Sequence, residues 1–461
     1  MEPRQGNGVN YLPGPDGVLL TEPRISSSYF TENKAKWLFG PRVSLAWDPS
    51  GRGNTSIRLG YGIAYNLLDN IGRGTRTALP GVAGFSIRTG ATFPIQFAPG
   101  APPPPGILVQ RGGGGFQTDM RTPTVHNYRA EIEQGLGANM SLRVAYIGLR
   151  GYHGVYRAMM NGRFPVICST VQGNCPAGLA DGTKYFPAGA PFKNPALDTS
   201  IQMRSGSTNN YNALHLDLNR RFRGGLAFRT NYSFGKAIDD ASSLSSFQAR
   251  GNPALLMDPD DRRRDNALSA FHVRNRFSFN GSYELPIGAG KPFLAGLTGL
   301  ADKLLGGWQL NGILSLQGGF PITPLLPGNS SRDGNTTTHD RPDWAPGRTH
   351  EGIYLLDPRR WYDPTAFALP VAGTYGNVGR NLIIGPGLAQ VDMSLFKTTR
   401  FTEKLTMQFR AEVFNLFNRP NFGLPSLVAL TSSGAPDASA GLITMTGTTS
   451  RQIQFGLKLS W

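Results

Sequence analysis

The sequence predicts an all-β fold, an antiparallel transmembrane β-barrel, on three observations. Segments of period-two alternation recur along the chain, the connections between them alternate between short and long, and the parity opposite the apolar one is rich in charge. Composition permits this: among 461 residues there are 59 glycines and 35 prolines, and only 39% are hydrophobic, which suits many short strands joined by polar loops. No apolar run reaches the roughly 18 residues that a membrane helix needs, whereas a membrane strand needs only about 10 of alternating character.

The strands follow in order. RVSLAWD sets Val43, Leu45 and Trp47 on one parity, turns at PSGRGN, and continues as TSIRLGYGIAY with Ile57, Leu59, Tyr61, Ile63 and Tyr65 on the same face. HNYRAEIEQ (Tyr128, Ala130, Ile132) turns at GLGAN into MSLRVAYIG (Met140, Leu142, Val144, Tyr146). ALHLDLN (Leu214, Leu216, Leu218) turns at RRFRGG into LAFRTNYSF (Leu226, Phe228, Tyr232, Phe234). NRFSFNGSYEL (Phe277, Phe279, Tyr283, Leu285) reaches WQLNGILSLQ (Trp308, Leu310, Leu314, Leu316) through a longer Pro/Gly-rich connection. VDMSLFK (Val391, Met393, Leu395) turns at TTRFTEK into LTMQFRAEVFN (Leu405, Met407, Phe409, Val413). RQIQFGLKLSW is the eleventh strand.

Long irregular stretches separate these hairpins, at roughly 66–124, 149–209, 235–271, 318–388 and 418–450. Such loops are unusual in compact soluble domains, but outer-membrane barrels carry long extracellular loops and short periplasmic turns. The polar parity carries Arg58, Arg129, Glu131, Glu133, Arg143, His215, Asp217, Arg229, Arg276, Glu284, Asp392, Arg410, Glu412 and Lys458. A sandwich core tolerates no such unpaired charges, so this parity is expected to face a wet lumen and the apolar parity lipid. In a closed barrel the last strand pairs with the first. Phe455, Leu457, Leu459 and Trp461 end the chain on the lipid parity, with the tryptophan at the interface that such rings favour. They form a candidate assembly signal, similar to the one read by the barrel assembly machinery.

Taken in order, PRVSLAWDPSGRGNTSIRLGYGIAY, TVHNYRAEIEQGLGANMSLRVAYIGLRGYH, YNALHLDLNRRFRGGLAFRTNYSFGKAIDDASS, FHVRNRFSFNGSYELP, GGWQLNGILSLQGGFPIT, QVDMSLFKTTRFTEKLTMQFRAEVFNLFNRPNFG and the terminal strand resemble the C-terminal half of the barrel of a TonB-dependent outer-membrane receptor, in its Oar-like branch. The resemblance implies residues 1–41 as an extracellular-loop-like segment and 42–461 as a half barrel, about eleven strands of the family's twenty-two. It also implies a bacterial outer-membrane location. The family's plug domain, energy-coupling segment and signal peptide are not recognisable in the sequence, so a truncated product or fragment is expected. The implied function is uptake of a large ligand such as an oligosaccharide, peptide or metal chelate. The implied partners are outer-membrane lipid and lipopolysaccharide, the assembly machinery, and a separate N-terminal half with its plug and, through it, the TonB energy-coupling protein. A surface adhesin or structural protein, or a passive porin, is the alternative.

Other motifs add little chemistry. Cys168 and Cys175, in VICSTVQGNCPAG, are a candidate disulfide closing a small exposed loop, preferred over free thiols. RGGGGFQTD and GAGK lack the spacing of a phosphate-binding loop and read as a flexible loop and a turn. His126, His153, His215, His272, His339 and His350 show no helical metal spacing. Asp333, Asp340 and Asp343 beside His339 read as a solvated loop rather than a cation or sugar site. MDPDDRRRDN reads as a self-paired charged loop, and Pro102 to Pro105 as a stiff extended segment. No catalytic arrangement and no cofactor site is recognisable, so no enzyme is expected. The formal charge of +16 falls mostly on loops and turns, such as Arg220, Arg221 and Arg223 or Arg262 to Arg264. Pairing of those near the outer leaflet with lipopolysaccharide phosphates is expected, and nucleic-acid binding is not.

Overall fold

The computed structural model describes residues 8–66, 84–87, 107–110, 112–242, 255–335 and 340–461. Pro102 to Pro105, Arg111 and His339 lie outside them. Eleven strands form one antiparallel meander, each hydrogen-bonded to its sequence neighbours. They are β1 (Arg42–Trp47), β2 (Thr55–Tyr65), β3 (Thr124–Gly135), β4 (Met140–Met159), β5 (Asp198–Arg223), β6 (Leu226–Asp239), β7 (Asn275–Glu284), β8 (Trp308–Gln317), β9 (Leu388–Arg400), β10 (Thr406–Phe414) and β11 (Gln452–Ser460). This is an open antiparallel sheet of outer-membrane barrel type, because β1 and β11 end the strand order without pairing. The last strand does not pair with the first within the described residues, as expected of a partial barrel.

Register carries the alternation from strand to strand. Trp47, Ile57, Ile132, Val144, Leu216, Tyr232, Phe277 and Leu316 are successive partners across eight strands. Leu226, Tyr283, Leu310, Leu395, Ala411 and Phe455 continue the same face to β11. Many of these large apolar side chains are exposed, among them Trp47, Ile132, Leu457 and Phe455, while Glu131 and Asp217 on the other face are buried. From Ile57 to Tyr65 the strand rises about 26 Å, which matches an apolar band of about 25 Å once tilt is allowed for. Trp47, Trp308, Phe401 and Trp461 cluster at the short-turn ends of their strands, as an interfacial girdle does.

Three strands run further than alternation predicts. β4, β5 and β6 extend past the apolar band at the long-loop end, pairing Met159 with Ile201 and Asp239 with Asn209. Above the membrane both faces meet water or loops, so side-chain alternation is no longer enforced.

Among the described residues, the β8–β9 and β10–β11 connections are folded rather than irregular. Ile322, Leu326, Ile353, Tyr362, Phe367, Val378 and Ile383 of the β8–β9 loop share one buried cluster with Ala429, Leu430 and Ala440 of the β10–β11 loop. Tyr362 Oη donates to the Ser426 carbonyl at 3.0 Å and Trp361 Nε1 to that of Ile384 at 2.9 Å. A core of their own explains how such long loops persist. The glycine run of RGGGGF is likewise a strand, Gly112–Phe116, parallel to the upper part of β5, and not the flexible loop expected. Gly115 has φ +146°, and an added Cβ would lie 1.8 Å from Asn10 Oδ1. Asn10 in turn accepts from the Phe116 N–H at 2.7 Å and donates to its carbonyl at 2.8 Å. The N-terminal segment is thus docked on the long-loop end. GAGK forms a turn, with Gly288 and Gly290 at positive φ.

Candidate functional site

The polar parity builds a charged wall. Arg58, on β2, reaches Glu131 at 2.9 Å and Glu133 at 3.0 Å on β3, and Arg129 pairs with Glu131 from the other side. One register step on, Asp217 of β5 is held between Arg143 of β4 at 3.4 Å and Arg229 of β6 at 2.7 Å. The two buried carboxylates each bridge two guanidiniums, so the wall is cross-linked along the sheet. Asp392 accepts from Gln390 Nε2 at 2.9 Å and from the Asn415 N–H at 2.8 Å.

A cavity of about 620 Å³ lies where this wall meets the loops. Arg143, His215, Asp217, Asn231, Ser233 and Arg276 line it from the sheet, and Phe271, His272, Val273 and Phe320 from the loops. It combines cations, one carboxylate, amides, imidazoles and apolar rings. The cavity thus sets hydrogen-bond donors and cations beside apolar rings. His272 accepts the Ala237 N–H at 3.2 Å, and burial, then the cations Lys236 and Arg274, push its pKa down.

Above the wall, ion pairs tie loops together. Arg341, in the β8–β9 loop, pairs with Asp265 at 3.2 Å, and Lys184, in the β4–β5 loop, bridges Asp258 at 2.9 Å and Asp260 at 2.8 Å. Arg262 pairs with Asp240 at 3.3 Å and lies over the Tyr156 ring. MDPDDRRRDN is thus mostly paired to other loops; only Arg263 with Asp261 pairs within it. Asp333 and Asp340 are also buried, not solvated as expected. Tyr375 Oη donates to Asp333 at 3.1 Å, and the Ser331 N–H donates to Asp340 at 2.7 Å. Burial raises the pKa of Asp333 and pushes that of Asp340 up to about 6. Among the described residues no three His, Cys, Asp or Glu side chains converge to hold a metal ion.

Cys168 and Cys175 are joined by a disulfide, with Cα atoms 4.6 Å apart, beside the small hairpin that pairs Val166–Ile167 with Lys184–Tyr185. Phe455, Leu457, Leu459 and Trp461 all point outward from β11 and are exposed. The arginines named as loop and turn cations fall at opposite rims. Arg220, Arg221 and Arg223 flank the two-residue turn between β5 and β6, at the rim opposite the long loops. Arg262 and Arg264 lie over the Tyr156 and Tyr375 rings at the long-loop end, where Arg263 and Arg264 are exposed. Sequence reasoning missed the cavity, whose loop half comes from distant segments, and a short helix, α1 (Gly299–Leu305), in the β7–β8 connection. Leu300 and Leu304, four residues apart, were its available signal.

An apolar outer face, an ionic inner face and connections sorted by length define the wall of an outer-membrane β-barrel. The chain belongs to the outer membrane beta barrel domain family, which it matches over residues 1–454, and its place is the outer membrane. No curated protein matches it. Among solved structures it is similar to the outer membrane transporter YddB from Escherichia coli, at 11% identity and a TM-score of 0.45, covering 91% of this chain and 40% of that one. It is similar to the ferripyoverdine receptor of Pseudomonas aeruginosa at 10% and 0.39, covering 95% and 34%. The FrpB iron transporter from Neisseria meningitidis gives 10% and 0.40, with 91% and 38% covered. The chain therefore spans 34–40% of the length of these structures.

Proposed function

We propose that residues 42–461 are the C-terminal half of the barrel of a TonB-dependent transporter of the Oar-like branch, with residues 1–41 part of its extracellular loops. The observation that carries this reading is the direction of the two free edges. β1 and β11 both run from the long-loop rim to the short-turn rim, so neither can pair antiparallel with the other. A complement that closes the barrel antiparallel must begin and end on strands running the opposite way, and so must supply an odd number of them. Eleven further strands, as in a twenty-two-stranded barrel, satisfy that condition.

In this reading the loop assembly and the cavity beneath it capture a large ligand, and a plug carried by the other half gates the path when pulled by the energy-coupling protein. The ionic wall supports it, since a polar plug docks against paired charges without burying bare ones. The test is uptake by cells expressing the whole coding region, with and without the coupling protein. Uptake lost on removing that protein supports the reading. Steady ion conductance in planar bilayers points instead to a passive porin, and ligand binding without any uptake to an adhesin.

A further inference from the structure

We propose that the β7–β8 connection, residues 285–307, is a membrane-surface anchor whose helix α1 lies in the periplasmic leaflet of the outer membrane. Every other connection at this rim is a short turn, so the extra length has no closure role. α1 sits on the outside of the sheet: Thr399 Oγ1 donates to the Lys303 carbonyl at 3.4 Å and Lys397 Nζ to the Gly306 carbonyl. Both strand residues belong to the lipid-facing parity, since Lys397 is the partner of Trp308 and Phe409, and Thr399 that of Met407.

The helix thereby covers the one ammonium that interrupts the apolar band of β9, leaving Lys397 only 8% exposed. Its own outward side is apolar. Leu300 and Leu304 are 72% and 60% exposed, and Phe293 and Leu294 in the preceding turn 63% and 54%. Leu294 is also held at φ +59°, a strained conformation for an exposed leucine. This patch continues the lipid-facing band at the level of Trp308, whose indole donates to the Leu304 carbonyl at 3.2 Å. Lys303 lies at the same rim with its ammonium over the Phe401 ring, placed for phospholipid phosphates. Apolar side chains flanked by lysines at headgroup depth fit a lipid surface.

The test uses the product of the whole coding region, with both seams paired, carrying single changes Leu300→Cys and Leu304→Cys, each labelled with bimane and folded into vesicles of phosphatidylethanolamine and phosphatidylglycerol. Leu314→Cys, on the lipid parity in mid-strand, reports the lipid-facing face independently. The expected result is a blue-shifted emission at 300 and 304, quenched by nitroxides placed high on the acyl chains and protected from aqueous iodide. Iodide quenching at 300 and 304 while position 314 is quenched only by lipid nitroxides overturns the anchor and leaves the barrel wall standing. Protection that requires added periplasmic extract overturns it in favour of a protein partner. Iodide quenching at 314 as well overturns the lipid-facing parity and the anchor with it.

Discussion

Arg380 and Asp239 meet 2.5 Å apart with side chains only 3% and 4% exposed, joining the upper end of β6 to the β8–β9 loop. The guanidinium also donates to the Asp265 carbonyl at 2.9 Å and to Ser242 Oγ at 2.8 Å, so one side chain holds three segments. Removing one partner of a buried pair leaves the other charge uncompensated, at a cost of about 3–5 kcal/mol. Arg380→Ala is therefore expected to open the loop assembly, read as faster proteolysis at residues 318–387, while the strands stay protected from hydrogen exchange. Unchanged loop cleavage would show that the pair is dispensable.

The loops are also expected to tighten in mild acid. Burial raises the Asp340 carboxyl to about 6 from an ordinary 3.8, so in this window the folded form holds a proton that the unfolded form has lost. Stability from this group is fully present below about pH 3.8 and is lost as pH rises through 6, a change on the order of 3 kcal/mol. Asp333 shifts in the same direction, whereas His272, pushed down by burial, opposes acidification. Hydrogen-exchange protection around Ser331 should be higher at pH 5 than at pH 7.5, and Asp340→Asn should flatten that difference. A loop that loosens on acidification in the native chain would contradict this.

Adjacent residues on β9 separate the two faces. Leu395 lies on the lipid parity, and Ser394 on the other accepts from Asn311 Nδ2 at 3.3 Å. An arginine facing lipid costs about 2–4 kcal/mol at the midplane and less toward the rims, and one facing a wet lumen little. Leu395→Arg, one register step inside the Trp308 rim, should lower the yield of membrane-inserted protein measurably and Ser394→Arg hardly at all. Equal losses would reject the assignment of faces.

Gly115→Ala places a methyl where Asn10 now packs, at a φ that an L residue rarely adopts. A cost of about 1–3 kcal/mol is expected, with residues 8–30 becoming accessible to protease. Gly17→Ala, also at positive φ but with open space around its Cβ position, controls for backbone strain alone.

Strand positions within the band were legible in the sequence because lipid on one side and water on the other impose alternation residue by residue. TSIRLGYGIAY and WQLNGILSLQ match β2 and β8 end to end. Legibility fails where that constraint stops. The upper part of β5, DTSIQMRSGSTNNY, has no clean period because loops pack on it. Glu131 and Asp217 were recognisable as inward-facing, but their guanidinium partners depend on register between strands. The buried positions of Asp265, Asp333 and Asp340 depend on segments distant in sequence, which local polarity cannot report.

The rims of the sheet have an energetic consequence. Along β11, nine residues long, every second residue turns its amide and carbonyl away from β10, so roughly four or five such pairs point into whatever lies beside it. Each one left without a partner in hydrocarbon costs several kcal/mol, and β1 adds its own row. Two naked seams would therefore outweigh the whole net stability of an ordinary domain, about 5–15 kcal/mol. Residence in the bilayer and zipping of both seams must then be a single event.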